Sequence, residues 1–420
     1  MTTSPRALAA LAIALSVGGC GAPQSTAVAY TGATLWDGTG ATPLENATLV
    51  VDGGRVVAVG EDLEVPRGAR TMSLEGRWVI PGLIESHGHV TGAWAPEGVT
   101  DPMERVRADL LLYARYGVTT VNSLGDEATV IAVRDAAQPT DPHARVLAAG
   151  PVIGDNEPAA ARATALANAD MGADFLKLRV DDNLGSTRKM PWEAVAAVME
   201  VGRERGIPVA THMFYLADAK QLLELGTGLL AHSVRDADVD SELVSMLRER
   251  SVCYVPTLVR EVSTFVYAER PDFFDDPFFQ AHAHPGELAQ ASDPAFMERM
   301  RTSASAAAYR VALGQAQRNL KTLQEAGVPI AFGTDAGPSA RFPGYFEHME
   351  LQLMVEAGLT PSQALQSATG VAAGCLGLDD VGTLEPGKWA DFVVLGADPL
   401  EDVRATQTLE SVFIAGNQVQ

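Results

Sequence analysis

The sequence predicts an α/β protein: a (β/α)8 TIM barrel over residues 81–380, carrying a small β-sandwich domain formed from both termini, residues 27–80 plus 381–420. Three observations predict it. Eight short apolar runs alternate with helical stretches through the middle of the chain, both ends are rich in short β-like runs and turns, and histidines, a lysine and an aspartate fall on those runs or at their ends. With 420 residues, 47% hydrophobic and 20% charged, the chain can bury one large core and a smaller one.

The first twenty residues, "MTTSPRALAALAIALSVGGC", hold one arginine, an apolar run too short to span a bilayer, and small residues ending in Cys20. They read as a signal peptide for export. The ending "SVGGC" resembles the lipobox of bacterial lipoproteins, which implies a lipid anchor at Cys20 and a cell-envelope or periplasmic location. The formal net charge of −22 argues against nucleic acid or an anionic lipid surface as partner and favours solubility. Cys253 and Cys375 have no zinc-knuckle or redox spacing and read as two buried, unpaired thiols.

The amino-terminal β region reads "AVAYTGATLWDG", "ATLVVDGGRVVAVG" and "RTMSLEGRWVIPG", with Asp52-Gly53-Gly54 as a hairpin turn. At the far end "GKWADFVVLGADPL" and "LESVFIAGNQVQ" supply further short strands. Neither piece is large enough for a core alone, so the termini are expected to meet. Between them lie the barrel candidates "IPGLIES", "VTTVNSLG", "RVLAAGP", "DFLKLRV", "IPVATHMF", "GLLAHSV", "SVCYVPTLV" and "VPIAFGTDAG". Helices are expected between them at 102–116, 157–171, 191–205 and 241–250.

The first run ends in His87-Gly88-His89, and residues two apart on a strand face the same side, so both imidazoles can reach one point. Lys177 sits within the fourth run, between Leu176 and Leu178. His212 ends the fifth, His232 the sixth and Asp335 the eighth. A strand-end histidine by itself is commonly a core or rim residue, and a lone lysine can extend its stem to solvent. Four of the eight histidines in the chain at strand ends of one barrel, with Lys177 and Asp335, point instead to a metal site.

On these residues, and on "GTLEPGKWADFVVL" near the carboxyl end, the chain resembles the amidohydrolase superfamily, in particular its imidazolonepropionase-like and Xaa-Pro dipeptidase (prolidase)-like members. The resemblance spans residue 28 to the carboxyl terminus. It implies that His87, His89 and Asp335 hold one divalent ion and His212 and His232 another, with N6-carboxylated Lys177 bridging them. Zinc is the expected metal, and cobalt, manganese or iron suit the same imidazoles. Asp335 is the expected catalytic acid–base. The chain departs from the commonest pattern at Glu85-Ser86, Ala231 and Ser233, which flank the expected ligands.

The reading that results is a hydrolase cleaving an amide bond of a small substrate: a dipeptide, an Xaa-Pro peptide or an N-acyl amino acid. A cyclic amide, a lactone or a phosphotriester is the alternative, since a metal pair serves all of them. A catalytically dead binding lipoprotein would have lost ligands, and none is lost. Tyr215, Arg179, Arg235, Arg341 and His348 are candidate substrate contacts, the arginines through a substrate carboxylate. The aromatic stretch after the seventh run, "FVYAERPDFFDDPFF", is expected to form a lid or pocket wall, and His282 and His284 within it are read as non-ligands. The oligomeric state stays open, a homo-oligomer included.

Overall fold

The computed structural model describes residues 26–419. The expected export signal and Cys20 lie outside these residues. Among the described residues the strands are, in chain order, β1 (Val28–Leu35), β2 (Leu44–Asp52), β3 (Arg55–Glu61), β4 (Arg70–Ser73), β5 (Trp78–Pro81), β6 (Leu83–Gly88), β7 (Val118–Ser123), β8 (Arg145–Ala148), β9 (Leu176–Arg179), β10 (Val209–His212), β11 (Leu229–Ala231), β12 (Cys253–Val255), β13 (Phe392–Leu395), β14 (Leu409–Ile414) and β15 (Asn417–Gln418).

The strands from the two ends of the chain join in one sheet, ordered β15-β14-β13-β5-β1-β2-β3, with β4 also pairing β1. Within it β1 pairs in parallel with β4 through residues 28–31 and then with β5 through residues 34–35. Gly53 and Gly54, both at positive φ, turn β2 into β3, and Asp52 pairs with Arg55 across that turn. Phe392 and Phe413 stack at 4.3 Å, with the Tyr30 ring edge-on to both.

The middle of the chain forms two parallel sheets, β6-β7-β8 and β9-β10-β11-β12. Every residue of β6, β7, β10, β11 and β12 is buried, as expected of parallel strands covered on both faces. The sheets are linked by hydrogen bonds from Asp174 N to Ala148 O and from Ile153 N to Lys177 O. The eighth expected run forms no strand beyond a bridge at Ile330, yet it is bonded on both sides. Ala331 N donates to Tyr254 O, Ser86 N to Phe332 O, and Asp335 N to His87 O.

Helices form where spacing and caps predict them. Asp101 caps Pro102–Arg115 through Glu104 N, and Asp240 caps Ser241–Arg250 through Leu243 N. Pro158–Asp170 and Trp192–Arg205 occupy the other two expected positions. Among the described residues no helix is long and apolar enough to cross a membrane.

Two expectations are corrected. The stretch after β12 folds into short helices whose aromatics face inward: Tyr267, Phe274 and Phe279 are buried with Trp94, Phe342 and Phe346. They form a core of their own rather than a wall of open pocket. Cys253 and Cys375 are joined in a disulfide, with Cα atoms 5.9 Å apart and a sequence separation of 122. The helix Gly370–Leu376 packs against the start of β12 and brings the sulfurs together, a proximity that local spacing cannot reveal. Closing so long a loop restricts the unfolded chain, so Cys375→Ser is expected to cost about 2–5 kcal/mol. Thermal melts of wild type and variant, with and without reductant, check this: reductant should lower the wild-type midpoint and leave the variant unchanged.

Candidate active site

The ends of β6 and β9–β11 and the segment after Ile330 bring the six expected side chains together. His87 is the hub. Its Nε2 lies 3.1 Å from Lys177 Nζ and 3.7 Å from Asp335 Oδ1, and its ring centroid is 4.5 Å from that of His232. His232 in turn lies 4.1 Å from the ring of His212. His89 Nε2 is 2.9 Å from Asp335 Oδ1. Ligand atoms of His87, His89 and Asp335 all fall within 4.8 Å of one another, the spacing of a metal group.

The backbone is bent to make this possible. His232, Asp335 and Thr257 all adopt positive φ, at 78°, 60° and 48°, a region that costs non-glycine residues about 1–3 kcal/mol each. Surrounding structure holds them there, and such strain concentrates at functional sites. Gly337, at φ 114°, closes the turn after Asp335, where a Cβ would meet His89 O at 2.2 Å. Gly88 is required between the two histidines because a Cβ there would lie 2.8 Å from Glu85 Cγ.

Three of the four imidazoles are oriented from outside, whereas His87 Nδ1 is buried without a hydrogen-bond partner. Asp126 takes His89 Nδ1 at 3.2 Å and is itself held by Ser123 and Val90 N. Thr257 Oγ1 is 2.7 Å from His232 Nδ1, and Asp181 Oδ2 is 2.8 Å from His212 Nε2. The opposite nitrogen of each ring is thereby the one left for a central ligand, the arrangement that fixes tautomer and direction in metal sites. These three partners escaped the sequence reading. Asp126 and Asp181 each lie just beyond a predicted strand end, a signal no stronger than that of many surface aspartates.

Protonation fits a metal. Burial holds His87 and His232 well below the usual histidine range and takes His212 down to about 3, so all three are neutral at pH 7. Burial likewise takes Lys177 down to about 7, which leaves a large share of the amine uncharged. His89 differs: burial opposes its charge, but Asp126 and Asp335 push it up to about 10. A cation is thus wanted between those two carboxylates, and a metal ion can take the place of the proton. Burial would raise Asp335, but Arg341 and the two histidines outweigh it and keep it ionised. The donor set, neutral imidazoles with a carboxylate and an uncharged amine, suits a divalent metal.

Glu85, one of the sequence departures, lies beneath the ligands. It accepts from His87 N and Thr334 N, and Thr334 Oγ1 bridges it to Glu347. Burial pushes both carboxyls upward. Glu350, on the helix Tyr345–Glu356, accepts from Leu258 N and Val259 N, and burial pushes it up to about 8. The sign follows from that direction. Folded protein keeps the proton up to about pH 8 while the unfolded chain releases it near 4.5, so the contribution of Glu350 to stability falls as pH rises between those values. Glu350→Gln is expected to flatten this fall, so that its melting midpoint drops less than that of wild type between pH 5 and pH 8.

The five candidate substrate contacts separate. Arg341 Nη1 donates to Asp335 Oδ2 at 2.5 Å and to Asp335 O at 3.2 Å, placing it at the site. Arg179 bonds Asn183 and faces Asp181 beside His212. Tyr215 donates to Asp182 at 2.8 Å, with Lys189 Nζ 3.9 Å over its ring. Arg235 is buried and committed to Glu261 and Met213 O beneath Phe214. His348 does not line the site: it is buried, with Nδ1 on Thr406 and Nε2 on Tyr116 O, because the helix Tyr345–Glu356 packs its first turn against the carboxyl-terminal segment. His284 instead caps the helix Pro285–Ala291.

A cluster of four imidazoles, three of them neutral, with one lysine and an ionised aspartate at the ends of parallel strands defines the class, a hydrolase site suited to a metal ion. The chain belongs to the amidohydrolase family, whose model matches residues 78–419, and it acts on carbon–nitrogen bonds. Among curated proteins it is similar to an imidazolonepropionase from Streptomyces avermitilis, 24% identical over 399 residues, covering 85% of this chain and 83% of the relative. It is also similar to an ochratoxinase from Aspergillus niger, 24% identical over 428 residues, covering 88% and 81%. Among solved structures, a Xaa-Pro dipeptidase with bound methionine in the active site superposes with a TM-score of 0.73 at 22% identity, covering 94% of this chain and 98% of the other.

Proposed function

We propose that the protein is an exported, binuclear metal-dependent amidohydrolase that cleaves the amide bond of a dipeptide, an Xaa-Pro peptide or an N-acyl amino acid. The observation that carries this reading is the convergence of His87, His89, Lys177, His212, His232 and Asp335 around His87. The hydrogen bonds that link the two parallel sheets, and the segment bonded to both Tyr254 and Ser86, support a closed (β/α)8 barrel over 81–380. The terminal sheet is then the small domain of 27–80 plus 381–420. The disulfide supports export, since such bonds persist in oxidising compartments. Residues 1–20 are the proposed signal and Cys20 the proposed lipid anchor.

In this reading His87, His89 and Asp335 hold one ion and His212 and His232 the other, with zinc the expected metal and N6-carboxylated Lys177 between them. When bound, the ions supply Lewis acidity toward a carbonyl oxygen and toward water. The residues do the rest. Lys177, uncharged in its apolar strand, is able to react with CO2 and become an anion. Asp335 takes a proton on its carboxylate as water attacks and returns it to the leaving nitrogen. Asp126, Thr257 and Asp181 keep the imidazoles aligned throughout. The likeness to a protein named as a Xaa-Pro dipeptidase supports a peptide amide, with the substrate placed on the Arg341 side of Asp335.

The test is a pooled library of dipeptides and N-acyl amino acids incubated with zinc-loaded protein, products read by mass spectrometry against Asp335→Asn. Release of amino acids by wild type alone supports the reading. No release from metal-loaded wild type overturns it and directs the search to cyclic amides, lactones and phosphotriesters.

A further inference from the structure

His89 lies just past the end of β6, and Asp335 leaves a run that forms no strand and takes positive φ. Two backbone bonds join these segments directly, Asp335 N to His87 O and His89 N to Ala336 O, and no regular ladder continues past them. Yet His89 Nε2 meets Asp335 Oδ1 at 2.9 Å. The helix Pro102–Arg115 supplies what fixes that spacing. Asp109 and Tyr113, one turn apart on it, share a face and are fully buried. Asp109 accepts from Gly92 N at 2.7 Å and from Trp94 N at 3.0 Å, which pins the loop that leaves His89. Trp94 passes the hold onward, because its Nε1 donates to Gly337 O at 2.5 Å, just beyond Asp335. The Tyr113 hydroxyl lies 3.2 Å from His89 O and 3.3 Å from Ala336 O, so one proton is shared between the two segments.

The glycine of His87-Gly88-His89 fits the same arrangement. A Cβ at Gly88 would lie 3.0 Å from the Tyr113 oxygen, so a side chain there would press on the hydroxyl. Phe342 packs edge-on to the Trp94 ring at 5.3 Å. Asp109, Tyr113 and Trp94 are all buried, so water does not replace a bond removed among them, and the carbonyl or amide left behind stays unsatisfied. None of the three is one of the six expected ligands, and none was singled out by the sequence.

We propose that Trp94 and Tyr113 are positioning residues that lock the segment after Asp335 onto the loop after His89, and that this lock sets the affinity for the ion that His87, His89 and Asp335 would hold. Asp109 acts one step further out, through Trp94. The inference rests on the metal-site reading and deepens it. The His87, His89 and Asp335 side of the site is braced from the helix Pro102–Arg115, whereas His212 and His232 are oriented by Asp181 and Thr257. Loss of the brace therefore weakens one ion more than the other.

The experiment needs no substrate. Zinc-loaded protein, prepared with bicarbonate, is titrated with a competing chelator, and the visible absorption of cobalt-loaded protein is recorded alongside. Tyr113→Phe removes a single oxygen and keeps the ring. It should weaken one metal-binding step by about 10-fold or more, the range for a lost outer-shell partner, and leave the other within about 2-fold. Trp94→Phe should do the same, and the cobalt bands of both variants should move at full metal occupancy. Tyr30→Phe, which removes a hydroxyl 3.4 Å from Gly416 O in the terminal sheet, should change neither readout. That control separates positioning from a general loss of stability. A folded Tyr113→Phe with wild-type metal affinity and cobalt bands overturns the proposal, even where Trp94→Phe fails to fold. Equal weakening of both steps overturns it too, since a loosened barrel would act on both ions alike. One ion only in wild type, weakened in both variants, upholds the brace and rejects the binuclear reading, and a wild type that takes up no metal overturns both.

Discussion

Asp335→Asn is expected to lower amide hydrolysis by about 10²–10⁴-fold, the range of losing a positioned acid–base group, with further loss from weakened metal binding. The carboxylate faces three partners in the structure: His89 Nε2 at 2.9 Å, Arg341 at 2.5 Å and, more distantly, His87 at 3.7 Å. An amide of the same shape removes the negative charge that His89 and Arg341 face and offers an amide N–H donor where two donors already point. The substitution thereby removes a ligand, the proton carrier and the anchor of Arg341 together. Steady-state kinetics with metal analysis separates these effects: full metal content with activity lost assigns Asp335 to proton transfer, and loss of both assigns it to the ion as well. Wild-type activity in this variant would remove Asp335 from the mechanism.

Lys177→Ala is expected to lower bound metal and to reduce turnover by more than the roughly 100-fold that losing an outer-shell partner costs. Its Nζ lies 3.1 Å from His87 Nε2 in a buried strand, and burial brings the amine down to about 7. An ammonium in that position would repel any cation held by His87, whereas a carbamate would attract two. Activity of the wild type should rise when protein is loaded with metal in the presence of bicarbonate, and Lys177→Ala should show no such dependence. Two ions bound to the alanine variant at wild-type affinity would show that Lys177 does not bridge them.

The fold and the clustering of the six candidate side chains were legible for the same reason. A parallel strand buried on both faces must be apolar along its length, so each central strand stands out as a short run, and a polar residue at its end stands out against it. His87, His89, Lys177, His212, His232 and Asp335 each break such a run or terminate it. What the residues cannot announce is who approaches from another element. Asp126, Thr257 and Glu350 carry ordinary local signals, a turn aspartate, a loop threonine and a helical glutamate, and acquire their roles only because the chain brings distant segments within 4 Å.

Residue chemistry along the chain determined an α/β architecture with apolar strands ending in side chains able to hold a metal, and with it membership in the amidohydrolase family. Tertiary structure alone decided that the terminal strands make one sheet, that Cys253 meets Cys375 and that His348 is a packing residue. The difference is physical. Strand and ligand signals arise from burial and periodicity within about ten residues, whereas disulfides, sheet continuity and buried charge balance depend on contacts between segments up to hundreds of residues apart, which local spacing does not encode.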